Sequence, residues 1–128
     1  MARQLGASSA ERNAAIAVVK AQERGDAAGV VRRIRGCRAS SACAARIQAQ
    51  VQRLRSPGRV SVVRYDGLHG LSLSGRSGVA RIVWKTPSTL PTVQCVRMRR
   101  AGNVLSGYRI HVLGLSAPIA RESDCPGR

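Results

Sequence analysis

Aromatic side chains are almost missing from this 128-residue chain, which has no Phe and only Trp84, Tyr65 and Tyr108. Large rings normally dominate a core and supply stacking surfaces for nucleobases. Their scarcity leaves Ala, Val, Leu and Ile to fill the interior, and it argues against a base-stacking platform. Acidic residues are few as well, six against 22 Lys and Arg, for a net charge of +16. No apolar run approaches the roughly 18 residues of a membrane span. The start of the chain lacks the apolar core of a signal peptide, because Ile16 to Val19 is too short. No Cys-x-x-Cys occurs, and His69 and His111 are isolated, which argues against a metal site. Gly67, Gly70, Gly75 and Gly78 precede strands and no Gly-Lys-Ser follows them, so they read as turn residues and not as a phosphate loop. No cofactor is expected.

What the chain does have is four cysteines, Cys37, Cys43, Cys95 and Cys125. An even number in a small chain, without metal-type spacing, points to two disulfides and an oxidising compartment. Of the three connectivities, Cys37–Cys43 with Cys95–Cys125 pairs neighbours and anchors a tail that would otherwise fray. The alternative is four reduced thiols. If the cysteines are bridged, the protein is expected outside the cytoplasm, secreted or anchored, and an export signal or anchor is expected on an upstream segment.

The length suits one domain with one core. We expect a flexible segment at 1–8, an α+β domain at 9–115, and a tail at 116–128 tied back by a disulfide. The charge is spread evenly: residues 1–58 and 59–128 each carry ten Arg and one Lys against three acids. No basic arm is segregated. Twenty Arg against two Lys also has a compositional cause, a GC-rich genome.

Ser8 and Glu11 form a capping box that opens a first helix, with Ala15, Val18 and Val19 on its apolar side and Gly25 at its end. Asp26 caps a second, whose Ala27, Val30, Val31 and Ile34 share a face that excludes Arg32, Arg33 and Arg35. Ser40 or Ser41 opens a third, carrying Ala44, Ile47, Val51 and Leu54 and ending at Ser56, Pro57 and Gly58. From Arg59 the period changes to two. Strands are expected at Arg59 to Tyr65, Leu68 to Leu73, Val79 to Thr86, Val93 to Arg100 and Leu105 to Leu113. Turns are expected at Asp66 with Gly67, at Arg76 to Gly78 and at Ala101 to Asn103. The predicted class is α+β, three N-terminal helices packed on a curved antiparallel sheet of four to five strands, cone-like.

This order of helix, Gly25 with Asp26, helix, cysteine-bearing link, helix and long strands resembles the nuclear transport factor 2-like, cystatin-like cone-fold superfamily. The match is best to its small exported members from high-GC actinobacteria. The stretches Val79 to Thr86 and Thr92 to Asn103 look like the paired long strands of such domains. The resemblance implies the fold over about residues 9 to 115. It carries over no catalytic motif, because enzymatic members use an inward Asp, His or Tyr in an arrangement not matched here.

Three functional classes follow. A non-enzymatic domain binds a small ligand, a peptide or another copy of itself in the concavity of the sheet. An enzyme uses Asp66 with His69 or His111 for acid–base chemistry, Tyr65 or Tyr108 polarising a substrate oxygen. An arginine-rich binder contacts polyanions, nucleic acid or an envelope polymer, through Arg32, Arg33, Arg35, Arg38, Arg53 and Arg55, with Arg97, Arg99 and Arg100 as a second surface. The first class is the leading expectation.

Overall fold

A computed structural model of the chain describes residues 2–69, 77–103, 105, 107–120 and 125. Three helices, α1 (Ala2–Glu23), α2 (Ala27–Arg33) and α3 (Ser41–Leu54), precede four strands, β1 (Ser61–His69), β2 (Ser77–Lys85), β3 (Thr92–Asn103) and β4 (Gly107–Leu115). The strands form one antiparallel sheet in the order β1-β2-β3-β4, so the architecture is α+β as expected.

Local chemistry sets most of the boundaries. Gly25, at φ +82°, takes the left-handed conformation that stops α1. Asp26 then caps α2, its Oδ1 accepting from the Gly29 N–H at 2.9 Å, and a Cβ at Gly29 would overlap that carboxylate. Ser40 caps α3 in the same way, accepting from the Cys43 N–H at 3.1 Å. One helix start differs from expectation, since α1 begins at Ala2 and the residues before the Ser8 box are helical. The Glu11 carboxylate accepts from Arg100 at 2.8 Å instead of returning to the backbone at Ser8.

The strands differ in two places. Asp66 and Gly67 do not turn the chain; β1 runs through them as far as His69, so the expected break between Tyr65 and Leu68 is absent. Asp66 lies opposite Arg81 and its carboxylate meets Arg64 at 3.2 Å and Arg81 at 3.4 Å, while a register irregularity between Asp66 and His69 absorbs the intervening residues. The expected strand end at Leu73, the turn residues Gly70 and Gly75, and Arg76 of the expected hairpin lie outside the described residues. The last hairpin closes later than Ala101 to Asn103, because β3 continues to Asn103 and pairs it with Gly107.

Alternation along the strands sends Ala80, Ile82 and Trp84 of β2 and Val96 and Met98 of β3 toward the helices, where all five are buried. They meet Ala15, Val18 and Val19 of α1, Val30 and Ile34 at α2, and Ile47 and Val51 of α3. At the end of α2 the chain clamps onto the outer side of β4, where Ile34 bridges Val112 in parallel and the Arg35 N–H donates to the Val112 carbonyl at 2.7 Å.

Inside this apolar layer sits a polar knot. Gln22, Gln50 and Gln94 are each at most 1 % exposed. Gln22 Nε2 donates to Gln94 Oε1 at 2.7 Å and Gln94 Nε2 donates back to Gln22 Oε1 at 3.0 Å, forming a reciprocal amide pair. Gln50 Nε2 donates to the same Gln22 oxygen at 2.8 Å, and Trp84 Nε1 donates to Gln94 Oε1 at 2.7 Å. Both Gln50 and Gln94 also donate to the Ser116 carbonyl, at 3.0 and 2.8 Å.

Both expected disulfides are present. Cys37–Cys43 spans the link between α2 and α3 with Cα atoms 5.2 Å apart, and Cys95–Cys125 joins β3 to the tail at 5.6 Å, leaving no free cysteine. The tail is also bound through the Ser116 N–H to the Cys95 carbonyl and the Ile119 N–H to the Val93 carbonyl, both at 2.9 Å.

Replacing Gln94 with Leu strands the Trp84 N–H and the Gln22 amide in the core, so urea unfolding should show a loss of about 3 kcal/mol. In the loop-closure account, converting Cys95 and Cys125 to Ser removes about 3.7 kcal/mol, against about 2.4 kcal/mol for Cys37 and Cys43. The order follows from sequence separations of 30 and 6 residues, and equal losses in the same unfolding assay would contradict it.

Candidate anion-binding cleft

The apolar positions of α2 decide where its arginines go. Val30 and Ile34 face the core, so Arg32, Arg33 and the following Arg35 lie on the outer flank. Because Ile34 is fixed against Val112, that flank runs beside β4 and brings the three arginines next to Arg109. Together with His111, and with Ala14 and Ala17 of α1 as its floor, they line a cleft of about 620 Å³. Arg33 is held to its own helix, Nη1 donating to the Gly29 carbonyl at 3.0 Å.

No carboxylate lines the cleft among the described residues. The acids act elsewhere: Glu11 pairs with Arg100, Asp26 with Arg24 at 3.6 Å, and Asp66 with Arg64 and Arg81. Four arginines thus line one cleft with no carboxylate in its described lining. Their planar forks suit bidentate contact with phosphate or carboxylate oxygens.

The remaining arginines are distributed differently from the surfaces expected. Arg38, Arg53 and Arg55 are exposed but do not line this cleft; Arg55 borders a separate hollow with Glu23 and Arg24. Arg97 and Arg99 are exposed on the side of the sheet away from the helices, while Arg100, the next residue along an alternating strand, points inward to Glu11. The sheet surface therefore keeps two of its three arginines. A second, smaller hollow of about 200 Å³ lies between Arg97, Gly114, Leu115 and Ser116, with Arg46 reaching it from α3.

The acid–base set does not assemble among the described side chains. Asp66 and His111 share the open face of the sheet by register, but they sit on its opposite edge strands, β1 and β4. Three inter-strand spacings, about 14 Å, separate those strands. His69 stands opposite Val79 in β1, and its side chain, like that of Tyr108, lies outside what is described. Tyr65 faces the core instead of an open cavity. Among the described residues no group of three or more His, Cys, Asp or Glu could hold a metal, and no helix is long and apolar enough to cross a membrane.

Arg109 and Arg46 escaped the sequence reading. Neither lies in a basic cluster, and each reaches its hollow through a long-range contact, at β4 for Arg109 and between α3 and the Leu115 carbonyl (3.2 Å) for Arg46. Comparison with known proteins gives no match: no family model, no curated protein and no solved structure aligns with the chain.

Tyr65 offers a test of its inward placement. Burial of the phenol, reinforced by the negative Glu11 and opposed by Arg12, raises its pKa to about 12. The hydroxyl is enclosed without a hydrogen-bond partner among the described residues. An unfolded tyrosine ionises near pH 10, so the contribution of the neutral phenol is complete below that pH and is lost as pH rises toward 12. Tyr65→Phe should be neutral or stabilising by about 1 kcal/mol at pH 7. The variant should also lose less stability than wild type between pH 10 and 12, which unfolding midpoints across that window will measure.

Proposed function

We propose that this is a non-enzymatic, extracytoplasmic binding domain whose ligand is anionic and is held in the cleft between α2 and β4. One observation carries the reading: Arg32, Arg33, Arg35 and Arg109 converge on a single cleft with no carboxylate in its described lining. The helix-facing side of the sheet is filled by Trp84, Ile82, Met98 and the glutamine cluster, which supports a ligand at the rim and not in the concavity. Two disulfides support an oxidising compartment. The element order supports kinship with the cone-fold superfamily it resembles, in which some members only bind.

Tripolyphosphate, titrated by calorimetry at low ionic strength, is the probe. A charge-assisted hydrogen bond contributes enough that Arg32→Ala and Arg109→Ala should each weaken binding about tenfold. Arg38→Ala and Arg53→Ala remove the same charge from exposed positions outside the cleft and should change affinity by less than about twofold. Equal weakening by all four would mean attraction to bulk positive charge, and the cleft assignment would fall.

A further inference from the structure

The cleft does not end the arrangement of cations. In the β3–β4 register His111 is paired with Arg99 and Gly114 with Arg97, so the two exposed arginines flank β4 along its open face. No described carboxylate bonds to either. Arg97 borders the second hollow, where Arg46 arrives from α3 with one guanidinium nitrogen on the Leu115 carbonyl. The order along β4 is therefore Arg109 with the α2 arginines, His111 beside Arg99, then Arg97 with Arg46.

Distances follow from the geometry of the elements. Ile110 to Leu115 covers about 17 Å at ~3.4 Å per strand residue. Arg97 and Arg99, two residues apart on one face, are separated by ~7 Å. A single small anion can engage one end of such a row. A chain of regularly spaced anionic groups can engage all of it. The second hollow begins at a glycine: a Cβ at Gly114 would meet no atom within 4 Å, so the path above it is open.

We infer that the occupant is a linear chain of phosphate groups, lying in the α2–β4 cleft and continuing along the open face of β4 past Arg99 and Gly114 to Arg97 and Arg46. The inference rests on the cleft binding an anion, as proposed above. The contacts are with phosphates alone, because three aromatic residues in the whole chain provide no stacking platform for bases. A condensed polyphosphate and a phosphodiester polymer share this chemistry.

The test compares tripolyphosphate with long-chain polyphosphate on the intact protein. The double variant Arg97→Ala/Arg99→Ala should weaken the long chain about 100-fold and leave tripolyphosphate within about twofold, whereas Arg32→Ala/Arg109→Ala weakens both. The salt dependence of long-chain binding should be steeper in wild type than in the Arg97/Arg99 variant by about 1.4 in log–log slope, for the two phosphate contacts removed at ~0.7 each. Gly114→Leu, which puts bulk into open space without removing charge, should impair only the long chain. Single-stranded oligo(dT) and oligo(dA) of equal length should bind alike, and their strength against polyphosphate of equal charge separates the two sources. Long-chain binding unchanged in the Arg97/Arg99 variant, or a base-dependent preference between the oligonucleotides, overturns the extended path. Failure of wild type to bind tripolyphosphate overturns the cleft itself.

Discussion

Three buried amides hold this molecule at one point. Gln22 from α1, Gln50 from α3 and Gln94 from β3 share hydrogen bonds with one another, with the Trp84 indole of β2 and with the Ser116 carbonyl where the chain leaves β4. An apolar contact tolerates sliding, but a reciprocal amide pair does not, and a buried polar group left without a partner costs about 1–3 kcal/mol. The cluster therefore fixes both the height and the rotation of α1 above the sheet, which in turn sets Glu11, three turns earlier, against Arg100. It also positions the fully buried Trp84 ring, since the indole is oriented by its bond to Gln94. In a chain without Phe, this specificity cannot come from interlocking aromatics.

The cleft depends on the same placement at one remove. With α1 set over β4 and α2 packed on α1, Ile34 can reach the outer side of Val112, and that single bridge carries the α2 arginines to Arg109. The fold uses its scarce acids for structure. Glu11 and Asp66 pair with arginines between elements, and Asp26 caps a helix, so they neutralise Arg100, Arg64 and Arg81 and none of the cleft arginines. Net charge alone did not foretell this division. It arises from the alternation of β3, which turns Arg100 inward and leaves Arg97 and Arg99 outside.

Local signals proved the most readable. The caps at Asp26 and Ser40 and the stop at Gly25 each depend on a few neighbouring residues, and the apolar stripe of Ala15, Val18 and Val19 is buried as its spacing implies. The disulfide pairing was legible because each bridge joins segments that the element order already brings together. Misreadings occurred where a long-range partner overruled a local preference. Asp66 with Gly67 has turn chemistry, but Arg81 across the strand pair holds Asp66 within β1. Glu11 has capping-box spacing, but Arg100, 89 residues away, engages its carboxylate. The glutamine cluster left a faint trace: Gln22, Gln50 and Gln94 occupy positions where the helical and strand periods call for apolar residues. The cleft left less, since Arg109 belongs to no basic run.

The layout of β1 has a consequence for how the protein behaves in company. β4 is partly covered on its outer side by the chain at Ile34, whereas β1 ends the sheet on the opposite side. A straight nine-residue border strand would offer a row of backbone donors and acceptors to any other molecule and invite sheet-to-sheet polymerisation. Here that row is broken twice, by register irregularities between Val62 and Arg64 and between Asp66 and His69, with the Arg64 side chain on the same strand. Mutual repulsion among copies of so cationic a chain acts in the same direction. The irregularities that disrupt simple strand pairing in β1 thus help keep the protein from templating its own aggregation.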